Sequence, residues 1–282
     1  MMDSFSSQYE NCLLCGHQCG VNRLVDEQGV CGLSAELLVS SVGPHFGEEP
    51  ELVGYRGSGT IFFAGCNLDC QFCQNWDISH ERRGSPTSIE QLAQHMLDLE
   101  RIGCHNVNFV TPTPYTPSIL EALNLARERD LRVPVVYNCG GYESVEVLAL
   151  CEGKIEIYMP DAKYSDAEIA EQFSEAPDYP EINQKALKEM HRQVGDLQVV
   201  NGVAQRGLLI RHLVLPSYKD NTEKVLKFIA TEISPDTYVN VMDQYRPCFR
   251  ADTLTGMNRG LTTAEYDDAV QFAREVGLHR GF

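Results

Sequence analysis

The chain has 282 residues, of which 43% are hydrophobic and 22% are charged, a composition typical of a folded protein with one large core and room for a small appendage. Acidic residues outnumber basic residues 40 to 23 and give a formal net charge of −17, so we expect no nucleic-acid partner. No stretch approaches the roughly 20 apolar residues that span a bilayer, and the first residues, MMDSFSSQYENC, lack the basic and apolar regions of a signal peptide. We therefore expect a cytoplasmic protein with no membrane partner.

The N-terminal segment is rich in loops and cysteines and has little helical periodicity. We predict a cysteine-rich extension at residues 1–54 and a core domain at residues 55–282. The extension holds four cysteines with the spacing C-x2-C-x3-C-x11-C, namely Cys12, Cys15, Cys19 and Cys31. In a reducing cytosol such a group favours a metal or redox role over disulfides. Four thiolates complete either a structural zinc site or a second [4Fe-4S] cluster, and the spacing is compatible with both.

From Tyr55 onward, short apolar runs alternate with amphipathic stretches, and each run is typical of a strand buried on both faces. The runs are Thr60–Ala64, Val107–Val110, Val133–Tyr137, Ile155–Met159, Leu208–Leu215 and Tyr238–Met242. Alternating strands and helices predict right-handed βαβ units with a parallel sheet, as a partial barrel or an open doubly wound sheet. In either case the functional groups are expected at the carboxyl ends of the strands.

The stretches between the runs carry helix start signals. Thr87 and Glu90 predict a capping box before the first helix, and Thr116 followed by Pro117 opens the second. The remaining helices are predicted at Val145–Cys151, Ile182–Val194, Thr222–Thr231 and Thr263–Val276.

A second cysteine group follows the first predicted strand directly, after a bend at Gly65. Its spacing is C-x3-C-x2-C, formed by Cys66, Cys70 and Cys73. Closed electron-transfer clusters use four cysteines, so three thiolates leave one iron of a [4Fe-4S] cluster without a protein ligand. An open iron can bind the amino and carboxylate groups of S-adenosylmethionine (SAM), and one electron then cleaves its C–S bond. The alternative is a zinc ion with a fourth ligand such as His80.

The segment GCNLDCQFCQN resembles the signature of the radical SAM superfamily. Nearly the whole chain also resembles the pyruvate formate-lyase activating enzyme-like branch, and more narrowly its poorly characterised members with an N-terminal four-cysteine segment. The segments that carry this resemblance are NCLLCGHQCGVNR, HFGEEP, GSGTIFF, YNCGGY, MPDAKY, RHLVLP and NVMDQYRP. The resemblance implies an α/β fold, a partial (β/α)6 TIM-like barrel of the radical SAM type, with SAM lying across the carboxyl ends of the strands.

The resemblance also implies SAM-binding residues after the second and third strands. Thr111 and Thr113 stand where the superfamily binds the SAM amino group, although Pro114 occupies the place where this branch is expected to have a histidine. A rigid proline-rich turn is the alternative interpretation of this segment. Asn138 ends the third strand, where the activating enzyme has an anionic cation ligand.

Four further SAM-binding positions are implied at the fourth and fifth strands. Met159, Asp161 and Lys163 match the activating enzyme's Met-x-Asp-x-Lys arrangement, and the two charged side chains alternate to one face of an extended strand end. Arg211 is implied to contact SAM, because a guanidinium forks onto a carboxylate or ribose. His212 points to the opposite face and is expected to pack.

Aromatic residues are expected to border the adenine or the substrate. Phe72 and Trp76 are predicted to wall the adenine, with core packing as the alternative. Gln244, Tyr245 and Arg246 end the sixth strand and are expected beside adenine or substrate.

The implied function is that of a radical SAM oxidoreductase, an activating enzyme of the EC 1.97.1 type that generates a glycyl radical on a partner glycyl radical enzyme. The alternative is a radical SAM enzyme that modifies a small molecule or peptide. A non-catalytic iron–sulfur electron carrier is disfavoured by the open-iron spacing. Both catalytic alternatives require flavodoxin or ferredoxin as reductant, and anaerobic conditions, because oxygen destroys an exposed cluster.

Overall fold

Nine strands form one sheet in the computed structural model, which describes residues 5–282; residues 1–4, with which the predicted extension begins, lie outside the described residues. The strands are β1 (Leu38–His45), β2 (Ser58–Phe63), β3 (Ser85–Pro86), β4 (Val107–Val110), β5 (Val135–Cys139), β6 (Ile157–Pro160), β7 (Gln198–Val200), β8 (Val203–Leu213) and β9 (Tyr238–Met242).

Helices lie between the strands along the chain. They are α1 (Pro50–Val53), α2 (Trp76–Ser79), α3 (Ile89–Arg101), α4 (Thr116–Glu128), α5 (Val145–Cys151), α6 (Ala167–Ser174), α7 (Tyr179–Val194), α8 (Lys219–Phe228) and α9 (Thr263–Glu275). No helix within residues 5–282 has the length and apolar character needed to cross a bilayer.

The six predicted strands correspond to β2, β4, β5, β6, β8 and β9, which pair in this order and in parallel. In the part of the chain that the structure describes, β9 pairs only with β8, so the sheet does not close into a barrel. Antiparallel strands extend its edges: β1 pairs with β2, β3 with β1 and β7 with β8. The open, largely parallel α/β sheet confirms the predicted partial barrel.

Side-chain alternation along the strands separates two cores. On β8, Leu208 and Ile210 join the large core beneath the helices, whereas Leu209 packs with Val136 and Met159 in a smaller cluster on the other face. Successive side chains point to opposite faces of a strand, so Arg211 shares the face of Leu209. The alternation therefore sends Arg211 to the inner face of the barrel.

The structure corrects the predicted capping box by one residue. Ser88, not Thr87, caps α3: its hydroxyl accepts from Gln91 N at 3.2 Å, and Gln91 Oε1 accepts from Ser88 N at 2.9 Å. Glu90 accepts instead from the Ser88 hydroxyl at 3.0 Å. Both registers satisfy the S/T-x-x-E/Q pattern, so the pattern alone does not distinguish them.

Strand β1 lies in the segment that the sequence pattern assigns to loops. It contains two serines, a glycine and a proline, and most of its residues are exposed or half-buried, so it lacks the apolar alternation of a typical strand. Its pairing with β2 joins residues 38–45 to the sheet of the core. The boundary between residues 54 and 55 stays a prediction.

Candidate active site at the carboxyl ends of the strands

A cleft with a cavity volume of about 190 Å³ lies at the carboxyl ends of the parallel strands. It brings together the loop after β2 and the ends of β4, β5, β6, β8 and β9, as the rule for parallel sheets predicts. The predicted site residues that line it are Cys66, Cys70, Cys73, Phe72, Thr111, Asn138, Asp161, Lys163 and Arg211.

The loop that carries the three cysteines is bent sharply at its start. Gly65 has φ +85°, and a Cβ there would lie 2.7 Å from the Leu33 side chain, so only glycine fits this bend. Cys73 N then donates to Cys70 O at 3.1 Å and closes a turn. The bend and the turn direct all three thiols into the same cleft.

Each of the three sulfur atoms has a polar neighbour. Ser174 Oγ donates to Cys70 Sγ at 3.1 Å, and Leu68 N donates to Cys66 Sγ at 3.4 Å. Cys73 Sγ lies 3.2 Å from Ser79 Oγ. Donors of this kind stabilise a thiolate more than a neutral thiol.

Burial raises the pKa of the Cys66 and Cys70 thiols, while the Lys163 ammonium nearby acts in the opposite direction. The free thiols are therefore protonated near neutral pH. A metal binds the thiolate, so loading of this site releases protons.

A zinc ion bound by the three cysteines needs a fourth protein ligand in a structural site, and His80 is the candidate that the sequence offers. In a [4Fe-4S] cluster each thiolate binds a different iron. His80, the proposed fourth zinc ligand, instead pairs with Asp69 at 2.9 Å and stacks on Phe249.

A network of charged side chains lies beside the thiols. Asp161 accepts from Lys163 Nζ at 2.6 Å and from Arg211 Nε at 3.0 Å. Arg211 also donates to Asn138 Oδ1 at 2.8 Å and lies 3.8 Å from Glu48. The cleft thus presents both signs of charge within one hydrogen-bonded group, as a zwitterionic ligand requires.

The network keeps Asp161 ionised despite its burial. Desolvation opposes its ionisation, but the Arg211 guanidinium and the Lys163 ammonium together lower its pKa. The pKa of Glu48 is raised, chiefly by burial, although Arg211 opposes the shift. Asp161 is therefore the permanent anion of the cleft.

Two residues that the resemblance implies for SAM binding do not line the cleft. Thr113 begins a short 3-10 turn, is fully buried and donates to Glu143 Oε1 at 2.7 Å. Met159 is buried in the cluster on the inner face of the barrel. Thr111, by contrast, lines the cleft with a positive φ of 58°, and its N–H donates to Asn138 O at 2.9 Å.

Of the two aromatic residues predicted to wall the adenine, Phe72 lines the cleft and Trp76 does not. Phe72 lines the cleft and packs edge-on against Tyr245, with ring centroids 5.9 Å apart, and Gln244 lines it as well. Trp76 stacks on Phe249 at 6.0 Å and is not among the residues that line the cleft. Phe72 is therefore placed to shield a ligand in the cleft from water.

His212 packs as its position on the strand predicts. It is fully buried, with Nδ1 2.6 Å from Ala162 O and Nε2 2.9 Å from Thr222 Oγ1. Burial lowers its pKa to about 4, so the ring is neutral at physiological pH.

Sequence patterns miss the partners that come from distant parts of the chain. Ser174 is 104 positions away from Cys70, and no motif marks it. Cys139 lines the cleft and donates to buried Glu143 at 3.2 Å. Only the YNCGGY segment gave a signal for this position, because it ends a predicted strand.

The N-terminal cysteines line a separate, smaller pocket. Its lining includes Cys12, Cys15, Cys19 and Cys31, together with His17. His17 Nε2 lies 2.8 Å from the carbonyl oxygen of Asn67, the residue after Cys66. The two cysteine sites are therefore joined by one hydrogen bond.

Residues 60–257 match the family model of the radical SAM superfamily. The chain belongs to this superfamily. Its members use a [4Fe-4S] cluster and SAM, so the cofactors predicted from the cysteine triplet are confirmed for the family to which the chain belongs.

Known proteins resemble the chain in sequence and in fold. The uncharacterized protein MJ0674 of Methanocaldococcus jannaschii is 36% identical over 283 residues, which cover 96% of this chain and 76% of that protein. Methylornithine synthase (PylB) superposes with a TM-score of 0.53 at 15% identity, over 76% of this chain and 62% of that chain. Streptococcus suis SuiB bound to the precursor peptide SuiA gives 0.52 at 13% identity, over 80% of this chain and 44% of that chain.

The chain thus spans less than two thirds of the length of both solved structures. At such low identity these likenesses show the fold alone. They do not assign the chain to the pyruvate formate-lyase activating enzyme-like branch.

Proposed function

We propose that this protein is a radical SAM activating enzyme that removes a hydrogen atom from a glycine of a partner protein. The observation that carries the proposal is the single cleft that holds three thiols and the Asp161–Lys163–Arg211 network. When bound, the cluster and SAM supply a 5′-deoxyadenosyl radical. The side chains of the cleft bind, orient and shield these groups.

The charged residues have distinct roles in this proposal. Lys163 and Arg211 face the carboxylate of SAM, and Asp161 balances its ammonium and sulfonium charges. Asn138 holds the guanidinium of Arg211 through its amide oxygen at 2.8 Å. Because this group is already hydrogen-bonded without SAM, little reorganisation is needed on binding.

The open side of the sheet supports a macromolecular substrate. β9 pairs only with β8 in the described part of the chain, and β1 covers the outer edge of β2, so the sheet is not closed between β9 and β1, and a loop of another protein can reach the cleft from this side. The alternative function, modification of a small molecule or a released peptide, is supported equally by the fold, since PylB is a synthase of an amino acid and SuiB is bound to a precursor peptide.

The two functions differ in where the radical resides after the reaction. The test is anaerobic incubation of the reconstituted protein with SAM, dithionite and a candidate glycyl radical enzyme, followed by electron paramagnetic resonance (EPR) and measurement of 5′-deoxyadenosine. A stable glycyl signal on the partner supports activation. Formation of 5′-deoxyadenosine with a chemically modified, released product and no protein radical supports the alternative.

The remaining expectations form part of the same proposal. Flavodoxin or ferredoxin supplies the electron, the reaction is anaerobic and the protein acts in the cytoplasm. Replacement of dithionite by reduced flavodoxin tests the reductant, and 5′-deoxyadenosine must still form.

A further inference from the structure

The four N-terminal cysteines lie outside the part of the chain that matches the superfamily, which begins at residue 60. They are nevertheless gathered into one pocket, although they are spread over twenty positions of loop and short 3-10 helix. Cysteines that only fill space in a hydrophobic core need not line the same pocket. The pocket therefore needs an explanation that the superfamily chemistry does not provide.

The pocket is built to receive negatively charged sulfur. Arg23 is 1% exposed, and its Nη1 lies 3.9 Å from Cys12 Sγ. Its guanidinium is fixed by three carbonyl oxygens, among them Pro114 O and Ser34 O, both at 2.6 Å. A buried cation held in this way stabilises thiolates nearby, because it lowers the cost of their charge.

The backbone approaches the sulfurs closely on the other side of the pocket. Val30 N donates to Cys19 Sγ at 3.4 Å. A Cβ on Gly29 would lie 2.6 Å from the same sulfur, so this position has room for glycine alone. Backbone donors and glycines at such close approach are typical of sites that hold an anionic group.

The position of the pocket favours a cluster over a zinc ion. Four cysteine thiolates satisfy either metal, but the lining of the pocket includes Asn67, which follows Cys66 of the triplet in the chain. A [4Fe-4S] cluster at this place can pass an electron to the cluster of the triplet, whereas zinc has no redox chemistry.

We propose that Cys12, Cys15, Cys19 and Cys31 hold a second [4Fe-4S] cluster and not a structural zinc ion. All four irons then have a protein thiolate, so this cluster has no open iron for SAM. It lies next to the SAM-binding cluster, because His17 Nε2 contacts Asn67 O at 2.8 Å. The inference is independent of which substrate the protein acts on.

The test is a metal count on the full chain after anaerobic reconstitution with iron, sulfide and an equal concentration of zinc. The wild-type chain is expected to bind about eight iron and about eight sulfide ions, as two cubanes require. A Cys15→Ala, Cys19→Ala double variant is expected to bind about four of each. Cys248→Ala, which removes a cysteine from neither group, is expected to match the wild type.

A second variant keeps the test decisive if the double variant fails to fold. The Cys66→Ala, Cys70→Ala, Cys73→Ala variant retains only the N-terminal site, and it is expected to bind about four iron ions and to show an EPR spectrum that does not change on addition of SAM. One zinc per chain in this variant, or no metal at all, overturns the proposal. Because this variant has no SAM-binding site, neither result bears on the proposed function.

Discussion

The two cysteine sites use the same side chain and differ in what surrounds it. The cleft places three thiols beside Asp161, Lys163 and Arg211. The N-terminal pocket is smaller and holds four thiols, and the described residues that line it include Arg23 but no carboxylate and no lysine. With three thiols and charges of both signs, the cleft can bind a zwitterionic cosubstrate. With four thiols, the N-terminal pocket leaves no iron of a cluster free to bind one.

Loss of one triplet cysteine is expected to have the largest effect. Substitution of a residue that hydrogen-bonds a metal ligand typically lowers metal affinity or activity by about 10- to 100-fold. Loss of the ligand itself should therefore lower the rate of SAM cleavage by at least about 100-fold. Cys70→Ala is therefore predicted to abolish 5′-deoxyadenosine formation, measured by chromatography. Cys248→Ala is the control and should retain the wild-type rate. A Cys70→Ala chain that still cleaves SAM would show that SAM cleavage does not depend on the cysteine triplet.

The next effect concerns the Asp161–Lys163–Arg211 network, which lines the cleft and not the N-terminal pocket. Arg211 donates to both Asp161 and Asn138, and a lysine cannot reproduce this fork. Hydrogen bonds to charged groups contribute about 1.5–3 kcal/mol, so Arg211→Lys is predicted to raise the KM for SAM about 10- to 100-fold.

A matched control exists outside the cleft. Arg127 forks onto Glu156 with both contacts within 3.0 Å, and neither residue lines the cleft. Arg127→Lys should leave the KM for SAM unchanged. Equal KM values in the two variants would mean that Arg211 supports the barrel and does not contact SAM.

The third effect concerns the pH dependence of the unfolding free energy, to which buried His212 on β8 contributes. Burial lowers the pKa of His212 to about 4, whereas the unfolded chain binds a proton below about pH 6.5. Stability is therefore lost as the pH falls from about 6.5 towards 4, and His212 should account for about 2 kcal/mol between pH 8 and pH 5.

The measurement is anaerobic urea unfolding of wild type and His212→Gln at pH 8 and pH 5. The difference between the two pH values should be smaller in the variant by this amount, since acid loss of the clusters affects both chains. An identical pH dependence in the two chains contradicts the buried, neutral state of His212.

The smallest effect on the KM for SAM is expected for a substitution of Thr113, because this residue lines the N-terminal pocket and not the cleft. Thr113→Val removes the donor to buried Glu143 and should cost about 1–3 kcal/mol of unfolding free energy. The KM for SAM should stay at the wild-type value. A large rise in KM with unchanged stability would contradict this expectation and support the SAM contact that the resemblance implies for Thr113.

The sequence predicted those features that depend on neighbours along the chain. Each apolar run became a parallel strand, and the side chains of Asp161 and Lys163 met because they alternate on one strand end. Thr113 lies outside the cleft because the chain turns into a 3-10 helix directly after Pro112. Ser174 and the His17–Asn67 contact arise from tertiary packing, for which local spacing carries no signal.

The most direct test of the central claim is to add SAM to the reduced, reconstituted wild-type protein. An open iron predicts a change in the EPR spectrum of the reduced cluster and the appearance of 5′-deoxyadenosine. A spectrum that stays the same, with no 5′-deoxyadenosine formed, would contradict the assignment of Cys66, Cys70 and Cys73 as the ligands of a three-thiolate cluster.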